Sequence, residues 1–304
     1  MAKLQQYFEQ FHAAIRADYE MNKTLREKKD IILNRIRKHL SDNGRPGFDE
    51  LLQGSYKMKT GVDPIAALEY DIDVGLRFAF NETDYDAKTV RRWVLEAVSG
   101  HTDKVEEMGP CIRVTYATGG YHVDLVVYCV WTDALGVEQY RLAHKTKGWR
   151  PANPIGLLDH VKARRKPFEG TEDTATSTDQ FRRVVRYLKR WNDEAIPVER
   201  EDKPTGLAFT LLACEGLAPR SSIQGDPDDR LALATLARAA ESVAGRLVAK
   251  KPTPEFEDMF GRLSDAEMTK LKQRFLHLAD VLDEAERTVD IPEACRKIRT
   301  ILGG

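Results

Sequence analysis

Apolar residues recur at the spacing of one helical face along the first forty positions of the chain. They form two runs: Leu4, Phe8, Phe11, Ile15 and Tyr19, then Leu25, Ile32, Ile36 and Leu40. This pattern predicts one long amphipathic helix or two consecutive ones. The stretch SDNGRPG at 41–47 ends the pattern, because Asn, Gly and Pro favour turns.

The middle of the chain changes to short segments rich in β-branched and aromatic residues, which are typical of strands. The predicted strands are 70–80 (YDIDVGLRFAF), 111–117 (CIRVTYA) and 121–131 (YHVDLVVYCVW). A helix is predicted over 86–99, between the first two strands. Gly119-Gly120 predicts a tight hairpin turn between the last two, since glycine reaches positive φ without steric cost.

From about Pro154 the helical pattern continues to the end of the chain, interrupted by Pro and Gly clusters. The predicted helices are 154–166, 178–193, 205–218, 228–248, 265–288 and 292–302. We therefore predict an α+β protein, with a mixed half over 1–150 and an all-helical half over 151–304. The boundary is expected in the stretch Gly148–Pro154.

Composition argues against several classes of protein. The 47 Lys+Arg and 48 Asp+Glu residues nearly cancel, so we expect no stable DNA binding, because duplex-coating proteins are basic overall. No run approaches the roughly 20 apolar residues of a membrane-spanning helix, and we expect no membrane association. The four cysteines lie far apart, which indicates reduced thiols in a cytoplasmic protein.

Asp71 and Asp73 are the first candidates for chemistry. Residues two apart on a strand point to the same face, so the two carboxylates lie side by side and repel each other. A divalent cation would turn this repulsion into a binding site. Asp124 lies on another apolar strand, and three carboxylates converge if the two strands are close in the sheet. The alternative interpretation is a pair of surface residues on a half-exposed strand.

Gly54-Ser55, in LLQGSYKMKTG, is the second candidate. Glycine lets the backbone approach a ligand closely, and a serine hydroxyl with the free N–H groups of a helix start can bind phosphate. Lys57, Lys59 and Thr60 are placed to assist. The alternative is a plain turn followed by a Ser-capped helix. The two signals are more specific together, because the D-x-D pair follows shortly after the Gly-Ser turn.

These residues carry a resemblance to a known family. GSYKMKT, YDIDVGL and HVDLVV, in this order, resemble the polymerase-β-type nucleotidyltransferase superfamily, and within it the bacterial cGAS/DncV-like nucleotidyltransferases (CD-NTases). Three further stretches are similar to the narrower family: GWRPANP (148–154), FRRVVRYLKRWND (181–193) and KPTGLAFTLLACEGL (203–217). The resemblance covers roughly Gly54 to Leu217.

The resemblance implies a bilobed nucleotidyltransferase fold. A mixed β-sheet lobe, braced by a long N-terminal helix, packs against an all-helical lobe, with the active site in the cleft. By the same resemblance, Asp71, Asp73 and Asp124 match the metal-binding carboxylates, and two Mg²⁺ ions are the implied cofactor, with Mn²⁺ as an alternative. Gly54 and Ser55 match the phosphate-binding turn.

The resemblance also assigns two residues of the helical half. Lys189 falls where a lysine of the helix covering the cleft contacts the triphosphate, and Thr205 falls near a hydroxyl at the phosphates. A related animal sensor has an aromatic residue just after that hydroxyl, whereas this chain has Gly206. The base-stacking residue is therefore not identified by the resemblance.

The segment 181–193 can also be interpreted without the family. Phe181, Val184, Val185 and Leu188 form an apolar stripe, and a basic flank comprises Arg182, Arg186, Lys189 and Arg190. A cationic flank that faces a cleft suits a polyphosphate, and a solvated basic face is the alternative. Trp191 is expected to pack between helices.

The chain ends in Gly303-Gly304, which resembles the tails that ubiquitin-type enzymes activate. An E1/E2-like conjugating enzyme that acts at Gly304 is therefore a candidate partner. An ordinary frayed end is the alternative.

The function implied by the resemblance is a cyclic oligonucleotide synthase. It would join nucleoside triphosphates, ATP and/or GTP, into a cyclic di- or trinucleotide messenger in antiphage (CBASS-type) defence. One rival hypothesis is nucleotidyl transfer to RNA ends or AMP transfer to protein; the balanced charge counts against an RNA-tailing enzyme. The other is a nucleotide-sensing module without catalysis, against which the full set of motif residues argues.

Overall fold

The computed structural model describes residues 4–17, 19–65, 70–116, 120–196 and 203–303. The N-terminal apolar pattern forms two helices, α1 (Gln5–Ile15) and α2 (Tyr19–Asp42). This is one of the two predicted alternatives. The predicted end of the second run at 41–47 agrees with the end of α2 at Asp42.

The described residues include a seven-stranded mixed sheet. Its strands are β1 (Phe48–Gln53), β2 (Tyr70–Phe78), β3 (Lys104–Glu107), β4 (Ile112–Tyr116), β5 (Tyr121–Thr132), β6 (Glu138–His144) and β7 (Gly148–Ala152). The main order is β1-β2-β5-β4-β3, and β6 pairs with β5 and with β7. The neighbours β2 and β5 run parallel, and the other pairs run antiparallel. The strand of Asp71 and Asp73 therefore lies directly beside the strand of Asp124.

Two helices belong to the sheet half besides α2. The short α3 (Gly54–Met58) follows β1 at once, and α4 (Ala87–Val98) connects β2 with β3. The side chain of Asp86 caps α4 by accepting a hydrogen bond from the Thr89 N–H. The predicted hairpin joins β4 to β5, with Tyr116 opposite Tyr121. Gly120 has φ +62°, and Gly119 lies outside the described residues.

The second half is helical from Pro154 onward, as predicted. Its helices are α5 (Pro154–Arg165), α6 (Gln180–Ala195), α7 (Gly206–Gly216), α8 (Asp229–Ser242), α9 (Asp265–Arg287) and α10 (Ile291–Leu302). Each starts with a side chain that accepts a hydrogen bond from the first turn; the caps are Asn153, Asp179, Thr205, Asp228, Ser264 and Asp290. The largest difference from prediction is α8, which ends at Ser242 and not near 248.

The apolar side chains form two main cores, one for each lobe. Residues of α2 and α4 pack on the sheet, whereas α6 to α10 enclose the helical core. Phe8 and Ile15 of α1, and Leu4 just before it, belong to the helical core, although the predicted boundary assigned 1–150 to the sheet half. The N-terminal helices therefore brace both lobes, α1 on the helical side and α2 on the sheet side. Within the described ranges, no helix is both long and apolar enough to span a membrane.

Candidate functional site

The three predicted carboxylates come together at the centre of the sheet. In the parallel β2–β5 pair, Asp73 is the register partner of Asp124, and Asp71 is the partner of His122. All three aspartates line one cavity of about 910 Å³ between the sheet and the helical lobe. The condition for convergence, that the two strands be close, is therefore met by direct pairing.

Asp73 lies in surroundings that oppose its ionisation. Burial raises the pKa of the Asp73 carboxyl well above its usual range, and the negative charges of Asp71 and Asp124 raise it further. The positive charge of Arg113 offsets only part of this effect. Carboxylate oxygens are the ligands that Mg²⁺ prefers, and a divalent cation would relieve the crowding. Asp71 and Asp73 thus fit a hard-metal site in position and in chemistry.

Asp124 is engaged by Arg113, a residue that the sequence analysis missed. The guanidinium donates from Nε to Asp124 Oδ1 at 2.8 Å and from Nη2 to Oδ2 at 2.7 Å. In this arrangement, no group of three or more His, Cys, Asp or Glu side chains in the described parts of the chain is placed to hold a metal. Asp124 could join Asp71 and Asp73 at a metal through its remaining lone pairs or after Arg113 moves.

A signal for Arg113 was present in the sequence. A two-residue turn at Gly119-Gly120 would pair residue 113 with residue 126, on the same face as Asp124 and two positions away. The observed β4–β5 register is shifted by two residues and puts Arg113 directly opposite Asp124.

Residue 54 must be glycine because its backbone lies against the Asp73 carboxyl group. Its φ is +63°, in the left-handed region that glycine adopts freely. A Cβ atom built on Gly54 would lie 1.8 Å from Asp73 Oδ2, far inside van der Waals contact. The backbone of the Gly-Ser turn therefore approaches the carboxylate as closely as any residue type allows.

The turn after Gly54 folds back on itself. The Thr60 N–H donates to the Ser55 carbonyl oxygen at 3.0 Å, and Lys59 ends α3 in a left-handed conformation with φ +55°. Ser55 and Thr60 line the cavity. Lys57 is exposed and is not among the residues that line it, so the structure gives Lys57 no place in the site.

The basic flank of α6 faces this turn. Arg186 donates to the carbonyl oxygens of Lys59 (2.7 Å) and Gly61 (2.9 Å), and Arg190 donates to that of Asp63 (2.8 Å). Lys189 Nζ donates to the carbonyl oxygen and to Oγ1 of Thr60, at 2.9 and 3.0 Å. The segment 59–63 is thus bound by three cations through main-chain oxygens. Arg182, the fourth predicted cation, instead pairs with Asp179 at 2.8 Å.

Two of these cations are buried without an acidic partner. In the described residues, no carboxylate lies within ion-pair distance of Arg186 or Lys189. Burial lowers the pKa of Lys189 to about 8, although Asp71 raises it in part. Burial and the neighbouring Arg182 and Arg16 lower the pKa of Arg186 to about 10. This wall of the cavity therefore holds positive charge that only neutral oxygens and a ring nitrogen contact.

His12 of α1 completes the surroundings of Arg186. Its Nε2 lies 2.8 Å from Arg186 Nη1. Burial, and then the charge of Arg186, lower the pKa of His12 to about 3, so the ring is neutral at ordinary pH. A neutral imidazole accepts a hydrogen bond from the guanidinium without cancelling its charge.

Thr205 and Gly206 lie at the start of α7, beside Lys189. The Thr205 side chain accepts from the Ala208 N–H as the cap of α7, and Thr205 lines the cavity. A Cβ on Gly206 would lie 3.0 Å from Lys189 Cε, so a larger residue would have to displace the lysine arm. This contact gives a physical reason for glycine where the related animal sensor has an aromatic residue.

The other face of α6 packs as the sequence predicts. Phe181, Val184, Val185 and Leu188 are fully buried. Trp191 contacts the rings of Phe209 and Phe275, with centroid distances of 6.1 and 4.8 Å, and is an anchor between helices.

Known proteins resemble this chain in sequence and in fold. Residues 49–128 match the family described as cyclic GMP-AMP synthase DncV-like, nucleotidyltransferase domain. A c-di-GMP synthase of Roseivirga ehrenbergii is 28% identical over 229 residues, which are 67% of this chain and 59% of that protein. The match thus spans less than two thirds of the relative's length.

Solved structures share the fold over nearly the whole chain. Vibrio cholerae DncV cyclic AMP-GMP synthase, in complex with the linear intermediate 5′ pppA(3′,5′)pG, matches with a TM-score of 0.79 and 15% identity, covering 97% of this chain and 92% of that one. Escherichia coli DncV in its 3′-deoxy GTP bound form matches with a TM-score of 0.75 and 16% identity, covering 95% and 92%. Residues 49–128 thus match a DncV-like nucleotidyltransferase domain, and the whole chain shares the fold of the DncV structures.

Proposed function

We propose that this protein is a cyclic oligonucleotide synthase that joins nucleoside triphosphates, ATP and/or GTP, into a cyclic di- or trinucleotide. One observation carries the proposal: the two walls of one cavity hold charges of opposite sign that the protein leaves largely unneutralised. The crowded carboxyl groups of Asp71 and Asp73 on β2 stand on one side, and the buried cations of α6 stand on the other. A triphosphate with a divalent cation supplies the counter-charge for both.

The two walls of the cavity suggest different roles for their residues in nucleotide transfer. Asp71, Asp73 and Asp124 would hold Mg²⁺, which when bound lowers the pKa of an acceptor hydroxyl and neutralises phosphate charge. The Gly54-Ser55 turn, which touches Asp73, orients the phosphates. Lys189 and Arg186 fix the segment 59–63 behind this turn and supply positive potential toward the leaving pyrophosphate. The acceptor hydroxyl would attack the α-phosphate in line.

The names of the relatives support the class of substrate. The Roseivirga ehrenbergii protein is a c-di-GMP synthase, and the Vibrio cholerae protein is a cyclic AMP-GMP synthase. Guanine occurs in both products, and the Escherichia coli relative was solved with 3′-deoxy GTP. GTP is therefore the substrate that we expect this protein to use in at least one of its positions.

A test of synthesis uses purified protein with Mg²⁺ and all four NTPs. Products are treated with phosphatase and identified by mass spectrometry, beside an Asp71→Asn/Asp73→Asn double variant. We expect phosphatase-resistant cyclic products from the wild type only. Products of equal yield from the double variant would refute the carboxylate assignment. Transfer of labelled nucleotide to added RNA or protein would instead support nucleotidyl transfer to RNA ends or AMP transfer to protein.

A role in antiphage defence is a further part of the proposal and rests on the resemblance. It predicts that cells carrying the protein with its neighbouring genes resist phage, and that the double variant removes the resistance. Conjugation through Gly304, which lies outside the described residues, is tested with a cognate E1/E2-like enzyme. An adduct that forms equally well without Gly304 would contradict it.

A further inference from the structure

The lining of the cavity also has an apolar part. It comprises Val126 and Leu142 of the sheet lobe and Leu207, Phe209 and Met259 of the helical lobe. A triphosphate gains nothing from such surroundings, because it needs cations and N–H donors. Apolar walls on both sides of a cleft suit a flat aromatic group, such as a nucleobase.

One carboxylate enters this part of the cavity from the loop between α8 and α9. Glu255 lines the cavity near the tip of a hairpin-like loop over 249–259. The Lys251 N–H donates to the Glu257 carbonyl oxygen, and the Met259 N–H donates to that of Ala249, both at 2.9 Å. Main-chain hydrogen bonds therefore close the loop that carries Glu255.

The base of the same loop is fixed by a further side chain. Asp258 Oδ1 accepts from the N–H groups of Ala249 (2.9 Å) and Phe260 (3.1 Å). Phe256, directly after Glu255, has φ +44°, in a region that non-glycine residues rarely adopt. Strain of this kind persists only where the surrounding structure imposes it, and it often marks a functional position.

Glu255 has an oxygen that is buried and has no hydrogen-bond partner among the described residues. The atom is Oε2, and Asn192 Oδ1 on the same cavity wall is in the same condition. The amide nitrogen of Asn192, unlike its oxygen, already has a hydrogen-bond partner, because it donates to the Pro204 carbonyl oxygen at 3.1 Å. A buried acceptor without a donor is costly, so both atoms call for a ligand that donates.

Glu255 also lies close to the sheet wall. Burial is the main cause that raises the pKa of the Tyr128 hydroxyl, and the charge of Glu255 adds to it. The same hydroxyl donates to Gln53 Oε1 at 3.1 Å, and Gln53 precedes the Gly54-Ser55 turn. Glu255 is thus within electrostatic reach of Tyr128, whose register partner in the sheet is Leu142 of the apolar lining.

The missing partner of Glu255 Oε2 must be a hydrogen-bond donor, and the nucleobases differ in the donors that they offer. Guanine carries two adjacent donors, N1–H and N2–H₂, which match the two oxygens of a carboxylate. Adenine carries a donor at N6 beside an acceptor at N1, and uracil carries N3–H between two carbonyl oxygens, so a carboxylate would face an acceptor in both cases. The phosphates carry acceptors only and cannot satisfy Glu255.

We propose that Glu255 is a specificity-determining residue that accepts hydrogen bonds from the N1–H and N2–H groups of a guanine base in the apolar part of the cavity. The inference rests on the proposed use of nucleoside triphosphates and names which of them enters this position. Asn192 Oδ1 is a second acceptor for a donor of the same ligand.

The test compares the binding of GTP and ITP, which differ only in the N2 amino group. Calorimetry with Mg²⁺ uses the α,β-methylene analogues of GTP, ITP and ATP, which bind but cannot be transferred. In the wild type we expect the GTP analogue to bind about 10-fold tighter than the ITP analogue, since a hydrogen bond to a charged group is worth about that factor. In Glu255→Gln, which keeps the shape, the ratio should fall to within about 3-fold.

A matched control lies two residues away in the same loop. Glu257 is exposed, pairs with Lys251 at 2.8 Å and does not line the cavity, so Glu257→Gln should keep the wild-type ratio. A ratio unchanged in Glu255→Gln, or the same loss for all three analogues, would overturn the proposal. So would a wild type that does not distinguish GTP from ITP.

This binding test is independent of the proposed synthesis. A protein that prefers GTP to ITP through Glu255 but makes no cyclic product would keep this inference and refute the proposed function. A protein that makes cyclic products but does not prefer GTP to ITP would keep the proposed function and refute the role of Glu255.

Discussion

The two charged walls of the cavity are built in opposite ways. On the strand wall, the side chains of Asp71 and Asp73 project from one face of β2, and their charges crowd each other. On the α6 wall, Arg186 and Lys189 are buried, and their charges are contacted by main-chain oxygens and a neutral imidazole. The strand wall can lower its energy by binding a cation, whereas the α6 wall already has its hydrogen bonds and lacks only counter-charge.

Hydrogen bonding and charge balance are therefore separate requirements for a buried charged group. Main-chain carbonyls satisfy the N–H groups of a lysine or arginine but leave its net charge in place. Such a wall keeps its geometry with or without ligand and still attracts an anion. Arg113 is the exception on the other side, because it neutralises Asp124 within the protein.

The largest effect is expected from Asp73→Asn. The change removes a metal ligand, so the rate of nucleotide transfer should fall by about 10³-fold or more. The metal-free protein should not be destabilised, because the variant removes a crowded negative charge. Turnover and thermal unfolding without Mg²⁺ measure the two effects. The exposed Asp103→Asn serves as the control, and a variant that loses both activity and stability would argue for a structural role of Asp73.

A smaller but still large effect is expected from Gly54→Ala. The new Cβ would collide with Asp73 Oδ2, and its positive φ is unfavourable for alanine, so activity should fall by about 10²-fold and stability by about 1–3 kcal/mol. Gly100→Ala is the matched control, since Gly100 has φ +67° but nothing within 4 Å of its Cβ position. It should lose about 1 kcal/mol and keep its activity. Equal loss of activity in both variants would show that backbone strain alone explains the effect.

Lys189 should make nucleotide binding dependent on pH. Its pKa of about 8 means that the ammonium charge is lost as pH rises through 8, so affinity for a triphosphate should fall by about 10-fold between pH 7 and pH 9. Lys189→Arg keeps the charge, and its affinity should stay nearly constant. Calorimetry with the α,β-methylene analogues measures both curves, and parallel curves would remove Lys189 from the binding of phosphate.

The same lysine predicts an opposite trend for stability without nucleotide. Its pKa lies below the ordinary value of 10.5, so the unfolded chain binds more protons between pH 8 and 10.5. The contribution of Lys189 to the free energy of unfolding should therefore rise with pH in this window. Denaturant titrations of wild type and Lys189→Met should differ most at low pH and converge near pH 10.5; a constant difference would contradict the lowered pKa.

The smallest effect is expected from Lys57→Ala. Lys57 was predicted to assist at the phosphates, but its side chain is exposed and does not line the cavity. We therefore expect less than about a 2-fold change in turnover. A loss near 10-fold would show that the turn rearranges to bring Lys57 to the substrate.

The predictable part of the site lay in local patterns. Alternation on a strand placed Asp71 and Asp73 on one face, and helical spacing placed Arg186, Lys189 and Arg190 on one flank. The partners of these groups lay far along the chain: Arg186 contacts Gly61 across 125 positions. Glu255 was missed because it belongs to a loop that shows no periodic pattern, and only the packing of the two lobes brings it near Tyr128.

In the fold, too, the elements with a clear local sequence pattern were the ones that could be predicted. Strands β2, β4 and β5 are apolar and were predicted, whereas β1, β3, β6 and β7 are short or carry charged side chains and were missed. Three of the missed strands, β1, β3 and β7, lie at ends of the described sheet, where little apolar character is needed because one side of the backbone has no strand partner. The helix α8 was predicted too long, since Leu247 and Ala249 continue an apolar pattern after the helix has ended. These residues are buried in the loop that carries Glu255.

The placement of α1 makes the helical lobe discontinuous in sequence. Its core includes Phe8, whose carbonyl oxygen accepts from the Tyr187 hydroxyl at 2.9 Å, while the next helix, α2, packs on the sheet. A fragment cut at residue 150 would leave the C-terminal piece without one of its own helices and expose the apolar groove that α1 fills. A circular permutation that joins α1 to the C-terminal piece would keep the side chains of α1 with the helical core, and recombining lobes between relatives would have to move α1 with α6.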